Sequence, residues 1–227
     1  MVTIMKKMVP AFLLVALLIG AYPHACLAVE SAHDKASKRV VLTFDDGPHP
    51  KQTLQILDLL DRYQIKATFF MIGVNVKHYP QVAAEVAARG HEIGNHTDTH
   101  SHAIRLDDAL LKSEISLCER EVLQQTGKQC KLFRPPEGAL TDSMRSTIKN
   151  MGYVNVLWTL DTRDWAHTQP EQISDYIIKN AKNGDIILMH DYIGYNSPTL
   201  LALELFVPEL LAQGFTFVTA GELLQCD

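Results

Sequence analysis

Val40, Val41, Leu42 and Phe44 form a short β-rich apolar run that ends in the turn-forming Asp45-Asp46-Gly47-Pro48, the pattern of a buried strand meeting a loop. Leu54, Ile56, Leu57 and Leu60 then recur at helical spacing, and Lys66 to Met71 returns to a strand-like run. The alternation continues. Helices are expected near Gln81–Arg89, Asp107–Gln125, Thr141–Asn150, Glu171–Lys182 and Thr199–Ala212, and strands at His91–Gly94, Leu132–Arg134, Val154–Thr159, Asp185–Met189 and Phe215–Val218. Strands alternating with single helices imply parallel pairing through crossover helices, and apolar strands imply burial on both faces. The units number about seven, one short of a closed eight-fold barrel. The expected fold is therefore α/β, a distorted or incomplete (β/α) barrel with about seven parallel strands, rather than an open doubly wound sheet.

The first residues do not belong to that pattern. Lys6 and Lys7 precede the apolar run Val9 to Ala21, and small residues follow at Ala25 and Ala28, so residues 1–28 read as a secretion signal cleaved after Ala28. Cys26 follows Pro23-His24-Ala25, which lacks the small and aliphatic pattern of a lipid-modified cysteine. Residues 29–38 read as a polar linker and 39–227 as one catalytic domain. The expected location is secreted or periplasmic, without a membrane anchor.

Charge narrows the partners. The formal net charge of −5 becomes −7 once Lys6 and Lys7 are removed, and no cluster of Lys and Arg remains to neutralise phosphates. Nucleic acid is thus a poor partner. Cys118, Cys130 and Cys226 match no zinc ribbon or redox motif, and a Cys118–Cys130 bridge is compatible with an exported protein.

Five polar clusters fall in the loops after strands, where parallel β/α folds carry their chemistry. Asp45 and Asp46 are adjacent carboxylates at a strand end, and His96-Thr97-Asp98-Thr99-His100 places two imidazoles four apart, which face one way if the segment is a helical turn. Two His and one Asp make a three-ligand site with open positions, the arrangement of a catalytic divalent ion. Zinc is the first expectation, with cobalt, manganese and nickel compatible with the same ligands. Such an ion acidifies water and polarises a carbonyl, so hydrolysis is the natural chemistry. The remaining clusters are Arg134-Pro135-Pro136-Glu137-Gly138, Asp161-Thr162-Arg163-Asp164-Trp165 and Ile186-Ile187-Leu188-Met189-His190. Taken singly, each has an ordinary structural reading as a strand terminator, a solvated loop or a core cap.

In this order and at these intervals, the five clusters resemble the polysaccharide deacetylases, carbohydrate esterase family four, over about Arg39 to Thr219. The resemblance implies a distorted (β/α) barrel with Asp45 as general base and Asp46, His96 and His100 as metal ligands. It further implies that Arg134 orients the base, that His190 is the general acid and that Asp161 holds it. Trp165 and Leu188 would line the pocket for the acetyl methyl, and the backbone N–H at Glu137 would bind the oxyanion. Two positions depart from the family pattern: Glu137 stands where an aromatic residue is usual, and Ser101 where a proline is frequent. The substrate is then an acetylated polysaccharide or oligosaccharide. The implied reaction is N-deacetylation of an N-acetylglucosamine polymer such as chitooligosaccharide, peptidoglycan or poly-N-acetylglucosamine. O-deacetylation of xylan, or a silent sugar-binding barrel, are the competing readings. The oligomeric state and the polymer have no code in the sequence.

Overall fold

The computed structural model describes residues 38–102 and 106–225. The expected signal segment, all of the linker before Lys38, and Cys226 lie outside them. In chain order the described elements are β1 (Lys38–Asp45), α1 (Gln52–Arg62), β2 (Thr68–Met71), α2 (Gly73–His78), α3 (Pro80–Ala88), β3 (Glu92–Asn95), α4 (Asp108–Thr126), β4 (Leu132–Phe133), α5 (Asp142–Asn150), β5 (Val154–Asn155), β6 (Leu160–Asp161), α6 (Pro170–Asn180), β7 (Asp185–His190), α7 (Thr199–Ala212), β8 (Phe215–Val218) and α8 (Ala220–Leu224). Local chemistry sets several helix ends. Asp107 accepts the Leu110 N–H to start α4, Gly127 ends it at φ 68°, and Thr141 accepts the Met144 N–H to start α5.

All strand pairings are parallel, in the order β5-β4-β3-β2-β1-β7-β6. The eighth strand, β8, pairs Lys38–Val41 of β1, whereas β2 pairs Thr43–Asp45, so the two share one edge of β1 while β7 takes the other. The expected incomplete barrel is therefore present, but one expected strand is not. Val154–Thr159 is no single strand: β5 pairs with β4 at one end of the sheet, and β6 pairs with β7 at the other. Residues 156–159 cross the gap where the barrel fails to close, held by Val156 N–H to the Phe133 carbonyl and Thr159 N–H to that of Ile186.

Side-chain alternation divides each central strand between two layers. Val40, Leu42 and Phe44 of β1, with Ile187 and Met189 of β7, pack in the main core beneath the helices. Val41 and Ile186 instead face the barrel interior with Phe70, Leu132 and Val156. The same parity carries Asp45 and His190 to the mouth of that interior. Cys118 and Cys130 are buried free thiols, so the bridge considered from the sequence is not formed.

Candidate active site

Asp45 and His190 are register partners on adjacent strands, at the last rung of the β1–β7 ladder. Asp45 is 3% exposed and is held from below by Arg134, a fully buried side chain that follows β4. Arg134 Nη1 donates to Asp45 Oδ1 and to Thr43 Oγ1, both at 2.7 Å. Its Nε and Nη2 donate to the carbonyls of Val156 and Leu157 at 3.1 and 3.2 Å. One guanidinium thus satisfies carbonyls of the segment crossing the barrel gap, where no neighbouring strand offers an N–H, and positions a carboxylate. Phe70 packs against its face at 4.1 Å.

The next residue, Asp46, adopts φ 75°, a left-handed conformation that costs a non-glycine residue about 1 kcal/mol or more. Its surroundings hold it there: Asn75 Nδ2 donates to the Asp46 carbonyl at 2.8 Å, and Gly47 is packed against the buried Asp191 carboxylate, which occupies the place of a β-carbon. Asp46 Oδ1 consequently lies 3.5 Å from His96 Nε2 and 3.3 Å from His100 Nε2.

The helical turn expected for His96–His100 is not formed. The segment is an irregular loop after β3, with Thr97 at φ 69° and His100 at φ 55°. Buried polar groups determine its path. Asn95 Oδ1 accepts the Thr97 N–H, Thr97 Oγ1 accepts the His100 N–H, and the Glu114 carboxylate of α4 accepts the N–H groups of Asp98 and Thr99. His96 Nδ1 donates to the Arg134 carbonyl at 2.7 Å, which turns Nε2 toward Asp46 as a free acceptor.

These three residues fit a divalent ion. Their ligand atoms lie within 4.8 Å of one another, and bonds of about 2.1 Å at tetrahedral angles would separate ligand atoms by about 3.4 Å. Asp46 Oδ1 is buried without a hydrogen-bond partner among the described residues; burial opposes its charge, but His96 and His100 lower its pKa, so it is held as an anion with room for a cation. Burial favours neutral His96, yet Asp45 and Asp46 raise its pKa, so this corner draws positive charge. Asp98 does not join the group; burial and Glu114 raise its pKa instead.

On the opposite wall the structure corrects the sequence expectation for Asp161. The carboxylate that holds His190 is Asp164: its Oδ1 meets His190 Nδ1 at 2.8 Å, and its Oδ2 accepts the His190 N–H at 2.8 Å and the Thr199 hydroxyl at 2.7 Å. Asp161 ends β6 in register with Leu188, and its Oδ1 accepts the Arg163 N–H at 2.8 Å and approaches Trp165 Nε1 at 3.4 Å. It therefore closes its own turn, and the 3-10 turn Asp164–Ala166 folds the second aspartate back onto His190. Burial opposes a charged His190, but the Asp164 hydrogen bond and charge, with Asp45 and Asp46, raise its pKa to about 9.

Between the walls is a cavity of about 460 Å³ lined by both aspartates, the three histidines, Glu137, Trp158, Asp161, Trp165 and Leu188. Every expected site residue except Arg134, which lies beneath Asp45, reaches its lining.

A family model described as polysaccharide deacetylase matches residues 32–156. The chain belongs to the polysaccharide deacetylase family. It is 45% identical to a peptidoglycan-N-acetylglucosamine deacetylase of Bacillus cereus over 83% of this chain and 89% of that one. The fold matches a crystal structure of a peptidoglycan N-acetylglucosamine deacetylase with TM-score 0.81 and 31% identity, covering 83% and 89% of the two chains. It also matches a carbohydrate esterase four pseudoenzyme from Bacillus anthracis with TM-score 0.77 and 28% identity, over 83% and 66%.

Within this deacetylase, sequence reasoning missed two features besides Asp164. Trp158 sits in the gap-crossing segment, over Arg134 at 5.6 Å, and leaves no room for a β-carbon at Gly138. A tryptophan next to an expected strand end is its only signal. Glu137, at φ 60°, pairs its carboxylate with His102 Nδ1 at 2.7 Å. The bonds of its turn are donated by Gly138 and Ala139.

Proposed function

We propose that the protein is a metal-dependent hydrolase that removes N-acetyl groups from N-acetylglucosamine-containing polysaccharide. A shared fold cannot carry this reading, since one similar structure is of a pseudoenzyme. The supporting observation is the convergence of Asp45, fixed by Arg134, and His190, fixed by Asp164, on one cavity beside Asp46, His96 and His100.

A divalent ion on Asp46, His96 and His100, with zinc the first candidate and cobalt, manganese or nickel compatible, supplies Lewis acidity for water and the acetyl carbonyl. Asp45 takes the proton of the attacking water, and the Arg134 guanidinium keeps its carboxylate oriented. The developing oxyanion receives the Glu137 backbone N–H. His190 protonates the departing amine through Nε2, because Asp164 occupies Nδ1. Leu188, Trp158 and Trp165 form the apolar wall that receives the acetyl methyl and excludes bulk water. Export through residues 1–28 would bring the enzyme to its polymer.

Purified, metal-loaded protein should release acetate from chitooligosaccharide or peptidoglycan, and a chelator should abolish the release. Acetate from acetylated xylan alone would make it an O-deacetylase, and none from any polymer would make it a silent barrel.

A further inference from the structure

A second cleft, of about 410 Å³, has His49, Gln52, Tyr192, Tyr195 and Asn196 among its walls. Its walls come from the β1–α1 and β7–α7 loops, which leave the site at Asp46 and His190, and from the first turns of α1 and α7. Chain geometry limits Tyr192 Cα to about 8 Å from that of His190, and His49 Cα to about 11 Å from that of Asp46. The two clefts thus draw on the same two strand–helix connections, separated by three residues along one and two along the other.

The cleft is preorganised. His49 Nδ1 accepts the N–H groups of Lys51 and Gln52 at 3.3 and 3.2 Å, and the His49 N–H donates to Thr53 Oγ1 at 2.7 Å. With two donors aimed at Nδ1 the ring is neutral, with Nε2–H as its remaining donor. It stacks on Tyr192 at 4.5 Å with planes 9° apart. Gln52 Nε2 donates to the Gly194 carbonyl at 2.7 Å, fastening one loop to the other. Tyr195 stands on the ridge toward a further cleft with His167 and Pro170, is 95% exposed, and makes no hydrogen bond or ring contact among the described residues.

Aromatic faces are negative at their centres, and the C–H faces of a pyranose ring are weakly positive, so exposed rings favour a sugar face. Imidazole and amide groups beside them suit hydroxyls. No carboxylate lines the cleft, which disfavours a cation. We propose that this cleft is a second saccharide subsite, holding a neighbouring sugar of the same chain as the unit being deacetylated. It rests on the proposed deacetylase reading.

The test compares chitopentaose with chitobiose in wild type, Tyr192→Ala, Tyr195→Ala and Tyr195→Phe. Loss of one stacking ring should lower the pentamer-to-dimer ratio of kcat/KM about tenfold, mainly through the pentamer KM. Tyr195→Phe should keep the ratio, because it keeps the ring. A misfolded fraction scales both substrates alike and leaves the ratio unmoved. Calorimetry with chitopentaose gives an independent reading. Binding that weakens in Tyr195→Ala supports the subsite even if wild type releases no acetate, an outcome that would overturn the deacetylase reading alone. An unchanged ratio with unchanged affinity, or no binding of chitopentaose to wild type, overturns the subsite.

Discussion

Asp46 and Asp164 are both shielded carboxylates facing histidines across one cavity, yet the chain treats them oppositely. Asp164 is fully buried and its oxygens accept from the His190 backbone and ring, the Thr199 hydroxyl and the Trp165 N–H. Asp46 has a buried oxygen with no such donor, and two imidazole nitrogens stand near it. A carboxylate saturated by protein donors is a fixed part of the scaffold. One left open among acceptors is half of a cation site. The two corners should therefore fail differently when altered.

The largest effect belongs to the open corner. Chelation, or His96→Ala, should abolish turnover and metal content together, and zinc or cobalt should restore only the chelated wild type. Adding metal to about 100 times its dissociation constant should stabilise the chelated protein by about 2.7 kcal/mol, read as a rise in Tm. Asp45→Asn should keep the metal and lose about 100-fold to 10,000-fold in kcat, the range of a general base. Joint loss of metal in Asp45→Asn would place Asp45 among the ligands.

The saturated corner should show itself in pH rather than in metal. His190 must be protonated to act as acid, so activity falls as pH rises through its pKa, raised to about 9 by Asp164 and the nearby aspartates against the effect of burial. Asp164→Asn removes the main raising partner and should move this alkaline limb to lower pH while metal content stays unchanged. Asp161→Asn should leave the limb in place. The stability linkage has a definite sign: the raised pKa contributes stability that is present below the ordinary histidine value of about 6.5 and is lost as pH rises through about 9. Wild type and Asp164→Asn should accordingly converge in stability at high pH. A limb that moves with Asp161 instead would restore the sequence assignment.

A smaller effect lies one layer behind the metal corner. Glu114 holds the N–H groups of Asp98 and Thr99 at 3.0 and 2.8 Å, and the Thr99 hydroxyl at 3.0 Å, between the two ligand histidines. Glu114→Ala should weaken metal affinity by about 10-fold to 100-fold, as losses behind first ligands do, with kcat recovered at saturating metal. Unchanged affinity would mean that Asn95 and Thr97 suffice to hold the loop.

The legible parts of this site were those encoded by residue type at strand ends. Asp45, Asp46 and His190 follow apolar strand runs, which places them in the loops where parallel β/α folds carry their chemistry, and His96 and His100 are identifiable as ligand types whatever the backbone between them does. What was not legible depended on partners distant in sequence. Val154–Thr159 reads as one strand-like run, but Val154 and Asn155 join one edge of the sheet and the residues from Thr159 on join the other, a choice that periodicity does not contain. Asp161 and Asp164 are the same residue three positions apart, and the 3-10 turn after β6 decides which one reaches His190. The left-handed residues Thr97 and His100 likewise depend on Asn95 and Glu114, not on local propensity.

The smallest effect concerns Glu137 on the cavity rim, where neither corner dominates. Its carboxylate is about half exposed and pairs with a similarly exposed His102, an arrangement whose energy is screened by water and salt. It nonetheless adds a negative charge to a cavity that already holds Asp45, Asp46 and Asp161, so sugars bearing carboxylates should be mildly disfavoured. The His102 partner offsets part of this, and the expected penalty is about 1 kcal/mol or less. Glu137→Gln should raise activity on anionic peptidoglycan fragments relative to neutral chitooligosaccharides by at most about fivefold at low salt, and the gain should shrink as ionic strength increases. Since the backbone N–H is retained, kcat on the neutral substrate should hardly change. If the ratio of the two activities is the same in wild type and variant at low ionic strength, the Glu137 charge plays no part in substrate choice, and its pairing with His102 serves the shape of the rim alone.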